Sequence, residues 1–270
     1  MISCEQYAAE MKEQLKENIK DKLEPPTLVV IQVGDDPASS SYVKGKMKDC
    51  EDVGFDCWHI VCDKYVTEVA LLGLIDDYNK NDMVNGIIVQ LPLPKHLDAD
   101  KITNHIAKEK DVDGFRADSP FDPCTPKGII DWLEYNNYEF EGKRATVVGR
   151  SKIVGKPLVN MLIDRGATVT CCNSKTIDLF EYTTSSHLVI TAIGKPKYFD
   201  KYDINNNTLV IDVGINRDEN GKLCGDVDRE KILDCPYNKN LYITPVPKGV
   251  GLLTRVALLK NVFEAYTKTL

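Results

Sequence analysis

The sequence predicts an α/β protein of two α/β domains, the second a doubly wound parallel sheet, with a cleft between them. Three observations carry this expectation. Short apolar runs alternate with stretches of helical apolar spacing along nearly the whole chain. A glycine-punctuated turn joins one such run to a helical pattern at 149–155. The length, 270 residues, suffices for two separate cores. The expected division is residues 1–138 plus a C-terminal helix over 252–270 for one domain, and 139–251 for the other.

In the first half, Ser3 and Gln6 form a capping box, and the helix they open carries Tyr7, Met11, Leu15 and Ile19 on one face. Pro25 and Pro26 end it, and Thr27–Val33 reads as a buried strand. The segment from Gly34 to Tyr42 turns into a second helix that runs to about Val53, with Gly54 as its stop. A strand over Asp56–Cys62, a helix around Glu68–Asn79 and a strand over Gly86–Gln90 follow. The last leads into the rigid turn Leu91-Pro92-Leu93-Pro94. A helix from about Thr125 or Pro126 to Tyr135 then leads to the second half.

There, Ala145–Val148 reads as a strand that breaks at Gly149-Arg150-Ser151-Lys152-Ile153-Val154-Gly155 into a helix through Leu158, Met161 and Leu162. Gly149 allows a tight turn and Gly155 a close helix–strand approach, the layout of a Rossmann-type dinucleotide-binding unit. The spacing is Gly-x-Ser-x-x-x-Gly, so the turn alone also suits any α/β protein. The next strand, Ala167–Cys172, ends at Asn173-Ser174-Lys175-Thr176. No acid stands there to hold a ribose 2′-hydroxyl. A hydroxyl, a lysine and nearby Arg150 suit a 2′-phosphate instead, which predicts NADP. Further strands are expected at 188–192 and 209–214, and a final helix over Leu252–Tyr266 that packs on the first half.

Composition bounds the function. Hydrophobic residues make up 43% and charged residues 28%, ordinary for a globular chain. The net charge of −7, with no basic run, argues against nucleic acid as a partner. No signal peptide and no bilayer-length apolar run are read, which predicts a cytoplasmic protein off the membrane. Nine scattered cysteines without Cys-x-x-Cys pairs predict reduced thiols, neither a disulfide framework nor a metal site.

Some residues have the types and spacing that chemistry needs. Tyr42 and Lys46 stand four apart on one helix and share a face. They read either as a ring and an ammonium for a flat heterocycle or as a core tyrosine beside a solvated lysine. Gln90 ends a buried strand at the sheet's carboxyl edge. It either orients Lys46 or a substrate, or is a packed strand-end amide. Asp111 and Asp113, taken as extended, point the same way; the alternative is a turn acid. His59, His96, His105 and His187 read as structural or surface groups.

Taken together, Val33–Ser39 with Tyr42 and Lys46, Val89–Pro94, Lys110–Gly114, Pro123–Pro126, Gly149–Gly155 and Thr244–Gly251 resemble, in this order, the bifunctional methylenetetrahydrofolate dehydrogenase/cyclohydrolase family. The resemblance implies NADP-dependent oxidation of 5,10-methylenetetrahydrofolate to the methenyl form, then hydrolysis to 10-formyltetrahydrofolate, in purine-linked one-carbon metabolism. It implies catalytic roles for Lys46, Gln90, Asp113 and Tyr42, with Leu91, Pro92 and Gly249 also on the folate. It implies that Gly149, Arg150, Ser151, Ile153, Gly155, Ser174 and Ile215 hold NADP, and that the chain is a homodimer. The sequence departs from the family pattern at Phe115–Pro120 and at Lys248, Leu252 and Leu253. Two rival readings follow: a dehydrogenase alone, or a non-catalytic folate- or nucleotide-binding regulator.

Overall fold

A computed structural model describes residues 1–200, 203–234 and 241–269, so Cys235 and Leu270 lie outside the described residues. The chain forms two compact units, residues 9–124 with 255–270 and residues 1–8 with 125–254. The helix around 124–135 therefore groups with the second unit, before the boundary expected at 138/139.

The first unit is built on β1 (Thr27–Val33), every residue of which is buried. Such a strand, covered on both faces, belongs to a parallel sheet. It pairs in parallel with β2 (Asp56–Cys62) on one side and β3 (Gly86–Val89) on the other. Side-chain alternation splits the core into two layers. Leu28 and Val30 pack among Leu15 and Ile19 of α1 (Cys4–Ile19), Val43 and Val53 of α2 (Pro37–Val53), and Leu258 and Val262 of the last helix. Val29 and Ile31 face Leu71 and Ile75 of α3 (Glu68–Asn79) and Ile102 of α4 (Ala99–His105).

Local chemistry sets the helix ends. Ser3 and Gln6 form the expected reciprocal cap on α1, at 3.0 and 3.1 Å. Asp36 accepts from Ser39 N at 2.8 Å, with Pro37 preset at the first helical position of α2. Gly54 ends α2 in the left-handed conformation, φ 82°.

The second unit holds α5 (Cys124–Tyr135), β4 (Arg144–Val148), α6 (Gly155–Asp164), β5 (Thr168–Cys172), α7 (Leu179–Thr184), β6 (Leu188–Thr191) and β7 (Leu209–Asp212). An antiparallel pair follows, β8 (Asn216–Arg217) with β9 (Leu223–Cys224), then α8 (Arg229–Leu233) and β10 (Tyr242–Ile243). Five strands form a wholly parallel sheet in the order β10-β7-β6-β4-β5. The order reverses at β4, which puts a topological switch point between the carboxyl ends of β4 and β6, where α/β folds collect ligands. The last helix, α9, spans Val250–Thr267, so it begins two residues before the expected Leu252.

Among the described residues the cysteines are free; Cys171 is exposed, Cys57 and Cys62 are half-buried, and the other five are buried. No described helix is long and apolar enough to cross a membrane.

Candidate active site

In the first unit, α2 projects Tyr42, Gly45, Lys46 and Asp49 along one face. The loop that starts α2 is fixed from inside the sheet. Gln32, 2% exposed near the carboxyl end of β1, donates to Gly34 O at 3.0 Å and Ser40 Oγ at 2.9 Å, while its Oε1 lies 3.1 Å from His59 Nε2. Lys46 Nζ donates to Gln90 Oε1 at 3.2 Å, and Gln90 Nε2 donates to Leu91 O at 2.7 Å. Gln90 is therefore hydrogen-bonded to Lys46 and not merely packed at the strand end. The strand itself stops at Val89, so Gln90 is the first residue beyond it, anchored by its N–H to Ile31 O at 2.8 Å. Lys46 is half-buried and commits one ammonium proton to Gln90; Tyr42 is 43% exposed. Partial burial raises the Tyr42 phenol above its ordinary pKa, with the Arg255 cation pulling the other way.

Arg255 of α9 was not singled out from sequence. Its guanidinium occupies the space beside Gly45, where an added Cβ would lie 2.5 Å from Nη1. Its Nε pairs with Asp49 Oδ2 at 3.0 Å, and the buried Asp49 carboxylate is paired with Lys12 as well. The signal available in sequence was an acid seven residues after Tyr42 on the same helical face.

The Asp111–Asp113 pair departs from its expected geometry. Residues 112–113 form a turn closed by Gly114 N to Asp111 O at 3.0 Å, so the two acids do not share an extended face. Asp111, 1% exposed, is the turn acid: its Oδ2 accepts from Arg116 N at 2.9 Å. Burial pushes its carboxyl up to about 6, with the Arg116 N–H opposing. Asp113 is the half-buried, accessible member of the pair. Its loop is held by Asn261, 0% exposed on α9, which donates to Val112 O at 2.9 Å and Asp122 O at 3.1 Å. Gly114 (φ 70°) is required there, because a Cβ would lie 2.7 Å from Phe121 O. Leu91 is half-buried and Pro92 exposed just past β3.

In the second unit the expected nucleotide turn sits at the switch point. Gly149 (φ 125°) leaves no room for a Cβ, which would meet Ala192 O at 2.3 Å; one on Gly155 would meet Gly149 O at 2.1 Å. Ser151 closes the start of α6, its Oγ accepting from Gly155 N at 3.3 Å and its carbonyl from Lys156 N at 3.0 Å. Arg150, Ser151 and Ile153 are exposed on this turn. Ser174 and Lys175 are exposed on the turn after β5, which Asn173 and Thr176 pin through Asn173 N to Thr176 Oγ1 at 2.9 Å. Ile215, 48% exposed, follows β7. A backbone cradle that a methyl group would fill, with the exposed side chains of Arg150, Ser174 and Lys175 on the neighbouring turns, fits a dinucleotide with a 2′-phosphate.

Gly249 is buried in the loop after β10, and a Cβ on it would lie 2.2 Å from Pro245 O. Lys248 keeps a left-handed backbone, φ 76°, and its Nζ pairs with Glu5 at 3.0 Å. Each histidine has a local partner: His105 with Asp76 at 2.9 Å, His96 with Val66 O at 3.1 Å, and His187 accepting from Arg144 N at 3.0 Å. No group of three or more His, Cys, Asp or Glu that could hold a metal ion occurs among the described residues.

A parallel three-stranded α/β unit bearing a Lys–Gln pair, joined in one chain to a doubly wound dinucleotide-binding unit, defines a two-domain pyridine-nucleotide enzyme. Residues 2–113 match the catalytic domain of tetrahydrofolate dehydrogenase/cyclohydrolase, and residues 123–270 match the NAD(P)-binding domain of the same family. The chain belongs to the tetrahydrofolate dehydrogenase/cyclohydrolase family. It is 46% identical to the bifunctional protein FolD of Bacillus anthracis over 277 aligned positions, covering 98% of this chain and 96% of that protein. The crystal structure of a bifunctional FolD from Campylobacter jejuni superposes with a TM-score of 0.94 at 41% identity, over 99% of this chain and 98% of that one. A Trypanosoma brucei FolD complexed with NADP cofactor and an inhibitor superposes with a TM-score of 0.91 at 30% identity, over 99% and 97%.

Proposed function

We propose that this chain oxidises 5,10-methylenetetrahydrofolate with NADP and then hydrolyses the methenyl product to 10-formyltetrahydrofolate. The observation that carries the reading is the Lys46–Gln90 hydrogen bond at the carboxyl edge of the first sheet. Tyr42 offers an aromatic face beside it for the pterin or aminobenzoate ring, and Asp113 accepts from the pterin nitrogens. Leu91 and Pro92 line the folate. Gly149, Ser151, Ile153, Gly155 and Ile215 hold the dinucleotide, with Arg150 and Ser174 on its 2′-phosphate. When bound, NADP supplies a hydride acceptor for the methylene carbon.

The first step asks the protein mainly for positioning, because the substrate's own nitrogen lone pairs stabilise the methenyl cation. The second step adds water to that cation, breaks one carbon–nitrogen bond and releases a proton. Lys46, with one proton committed to Gln90 and the rest of its head accessible, moves protons between the attacking water and the leaving ring nitrogen. Gln90, fixed by Leu91 O, keeps the lysine head in one place. We also propose a cytoplasmic homodimer serving purine biosynthesis; sedimentation at working concentration tests the dimer.

Paired kinetics on wild type and Lys46→Met test the main reading. Methylenetetrahydrofolate oxidation and hydrolysis of supplied methenyltetrahydrofolate are followed separately. Wild type is expected to do both, and the variant to lose hydrolysis far more than oxidation. A wild type that oxidises but hydrolyses no faster than buffer would make this a dehydrogenase alone.

A further inference from the structure

A densely bonded buried group in the second unit is Asp226, which lies just past β9 and is 0% exposed. Its Oδ2 accepts from Ile193 N at 2.7 Å and Gly194 N at 3.3 Å; its Oδ1 accepts from Lys195 N at 2.9 Å and Asn216 Nδ2 at 2.9 Å. The donors that reach this carboxylate are three successive backbone N–H groups and one neutral amide. They belong to two segments, the one after β6 and the one after β7. Both leave the carboxyl edge of the sheet, the side on which α/β folds bind nucleotides.

The surroundings are built to keep the carboxylate there. Gly214 leaves the space it occupies, since a Cβ would lie 2.4 Å from Asp226 Oδ1. The Asp226 N–H is tied to Asp212 Oδ1 at 2.9 Å, and Asp212 also takes Val227 N at 3.0 Å and Gly214 N at 3.0 Å. Gly225 is the counterpart of Gly214, because a Cβ on it would meet Asp212 Oδ2 at 1.8 Å. A backbone seam closes the arrangement: Lys197 N to Gly225 O at 3.0 Å, and Phe199 N to Asp226 O at 3.0 Å.

What Asp226 fixes is the proposed cofactor wall. The segment after β6 begins at Ala192, whose carbonyl abuts Gly149 of the phosphate turn. Ile215, expected on the cofactor, sits between Gly214, which packs on the carboxylate, and Asn216, which donates to it. Among the described residues no ion pair is recorded for this carboxylate, and burying a carboxylate is a costly way merely to tether a loop. It becomes explicable where several N–H groups must be held in one orientation for a ligand. We propose that Asp226 is a positioning residue for NADP, setting the 193–195 segment and Ile215 through Asn216.

The inference rests on the dinucleotide reading of this unit, and the test separates the two. NADPH binding is titrated by fluorescence for wild type, Asp226→Asn and Asn216→Ala. The kinetics of NADP-dependent methylenetetrahydrofolate oxidation and of hydrolysis of supplied methenyltetrahydrofolate are measured beside it. For Asp226→Asn, the NADPH Kd and NADP KM are expected to rise at least tenfold, while hydrolysis stays within about twofold. Asn216→Ala, which leaves the backbone bonds in place, is expected to raise the Kd about threefold. Unchanged binding in Asp226→Asn overturns the proposal. So does a loss of hydrolysis equal to the loss of binding, which marks a purely structural clamp. Should Asp226→Asn fail to fold, Asn216→Ala decides: a weakened Kd supports the proposal and an unchanged one ends it. Wild type that binds no NADPH would instead sink the dinucleotide reading itself.

Discussion

The two proposed binding regions lie at the carboxyl edges of parallel sheets, yet they are made of opposite materials. In the first unit the working parts are side chains: Tyr42, Lys46 and Gln90, aimed by α2 and by the end of β3. In the second unit the working part is an absence, the missing Cβ atoms of Gly149 and Gly155 that let backbone approach backbone. The difference teaches where each region is vulnerable. Trimming a side chain in the first should change chemistry and spare the fold. Adding a single methyl group in the second should disturb the fold and, with it, the ligand.

The largest expected effect is therefore on chemistry in the first unit. Lys46→Met should lower methenyltetrahydrofolate hydrolysis by roughly 10²–10⁴-fold, the usual weight of a proton-transfer group, with the thermal midpoint nearly unchanged. A variant that melts well below wild type would erase the contrast. Gly155→Ala should do the reverse, destabilising the second unit by roughly 1–3 kcal/mol as backbone shifts to admit the methyl. Calorimetry and NADPH titration check it; normal melting with normal NADPH affinity would show that the turn has slack.

Arg150→Ala sharpens the comparison by removing an exposed side chain from the backbone-built region. The NADP KM should rise roughly tenfold, from a charge-assisted hydrogen bond of about 1.5 kcal/mol, while the NAD KM stays put. Equal effects on both cofactors would remove Arg150 from the 2′-phosphate.

The smallest effect concerns the loop beside Asp113. Asp111 has a folded pKa of about 6 against an ordinary 3.8. Between these values the native state keeps a proton that the unfolded chain has released. Its contribution to stability is full below about pH 4 and lost as pH rises through 6. Asp111→Asn should abolish that slope and, at pH 7, stabilise the protein by about 1 kcal/mol. Urea titrations at pH 4, 5, 6 and 7 read the difference. Asp212, pushed up to about 6 by its own burial, adds a slope of the same sign that the variant leaves in place.

Much of this was legible in the sequence where one local rule decided the outcome. Thr27–Val33, Asp56–Cys62 and Glu68–Asn79 stand at their expected bounds, because apolar runs there are flanked by prolines, glycines and a capping threonine. The Ser3–Gln6 cap and the Gly54 stop follow from three-residue chemistry. Elements whose stability comes from tertiary contacts were not legible. α4, α7 and α8 are too short to show helical period, and β10 is two residues that are a strand through their pairing with β7. The site divides in the same way. Tyr42, Lys46 and Gln90 stand out by type and spacing, but only the resemblance to the family gives them roles. Arg255, Asn261 and Asp226 reach their partners across long stretches of sequence, which no local pattern records. At Asp111 and Asp113 an alternating spacing suits extended backbone and a turn equally, and it is Gly114 that makes the turn.

The division of the chain bears on how it is made. Residues 255–270 complete the unit that otherwise spans 9–124, and Leu258 and Val262 close the face of β1 that carries Leu28 and Val30. During synthesis, until α9 has been made, that apolar face has the cover of Leu15 and Ile19 of α1 and Val43 and Val53 of α2 but not of Leu258 and Val262. The nascent first unit is then a candidate chaperone client, with one face of its sheet only partly covered. The last helix acts as the keystone of a unit begun more than a hundred residues earlier, which becomes native only once that helix is in place.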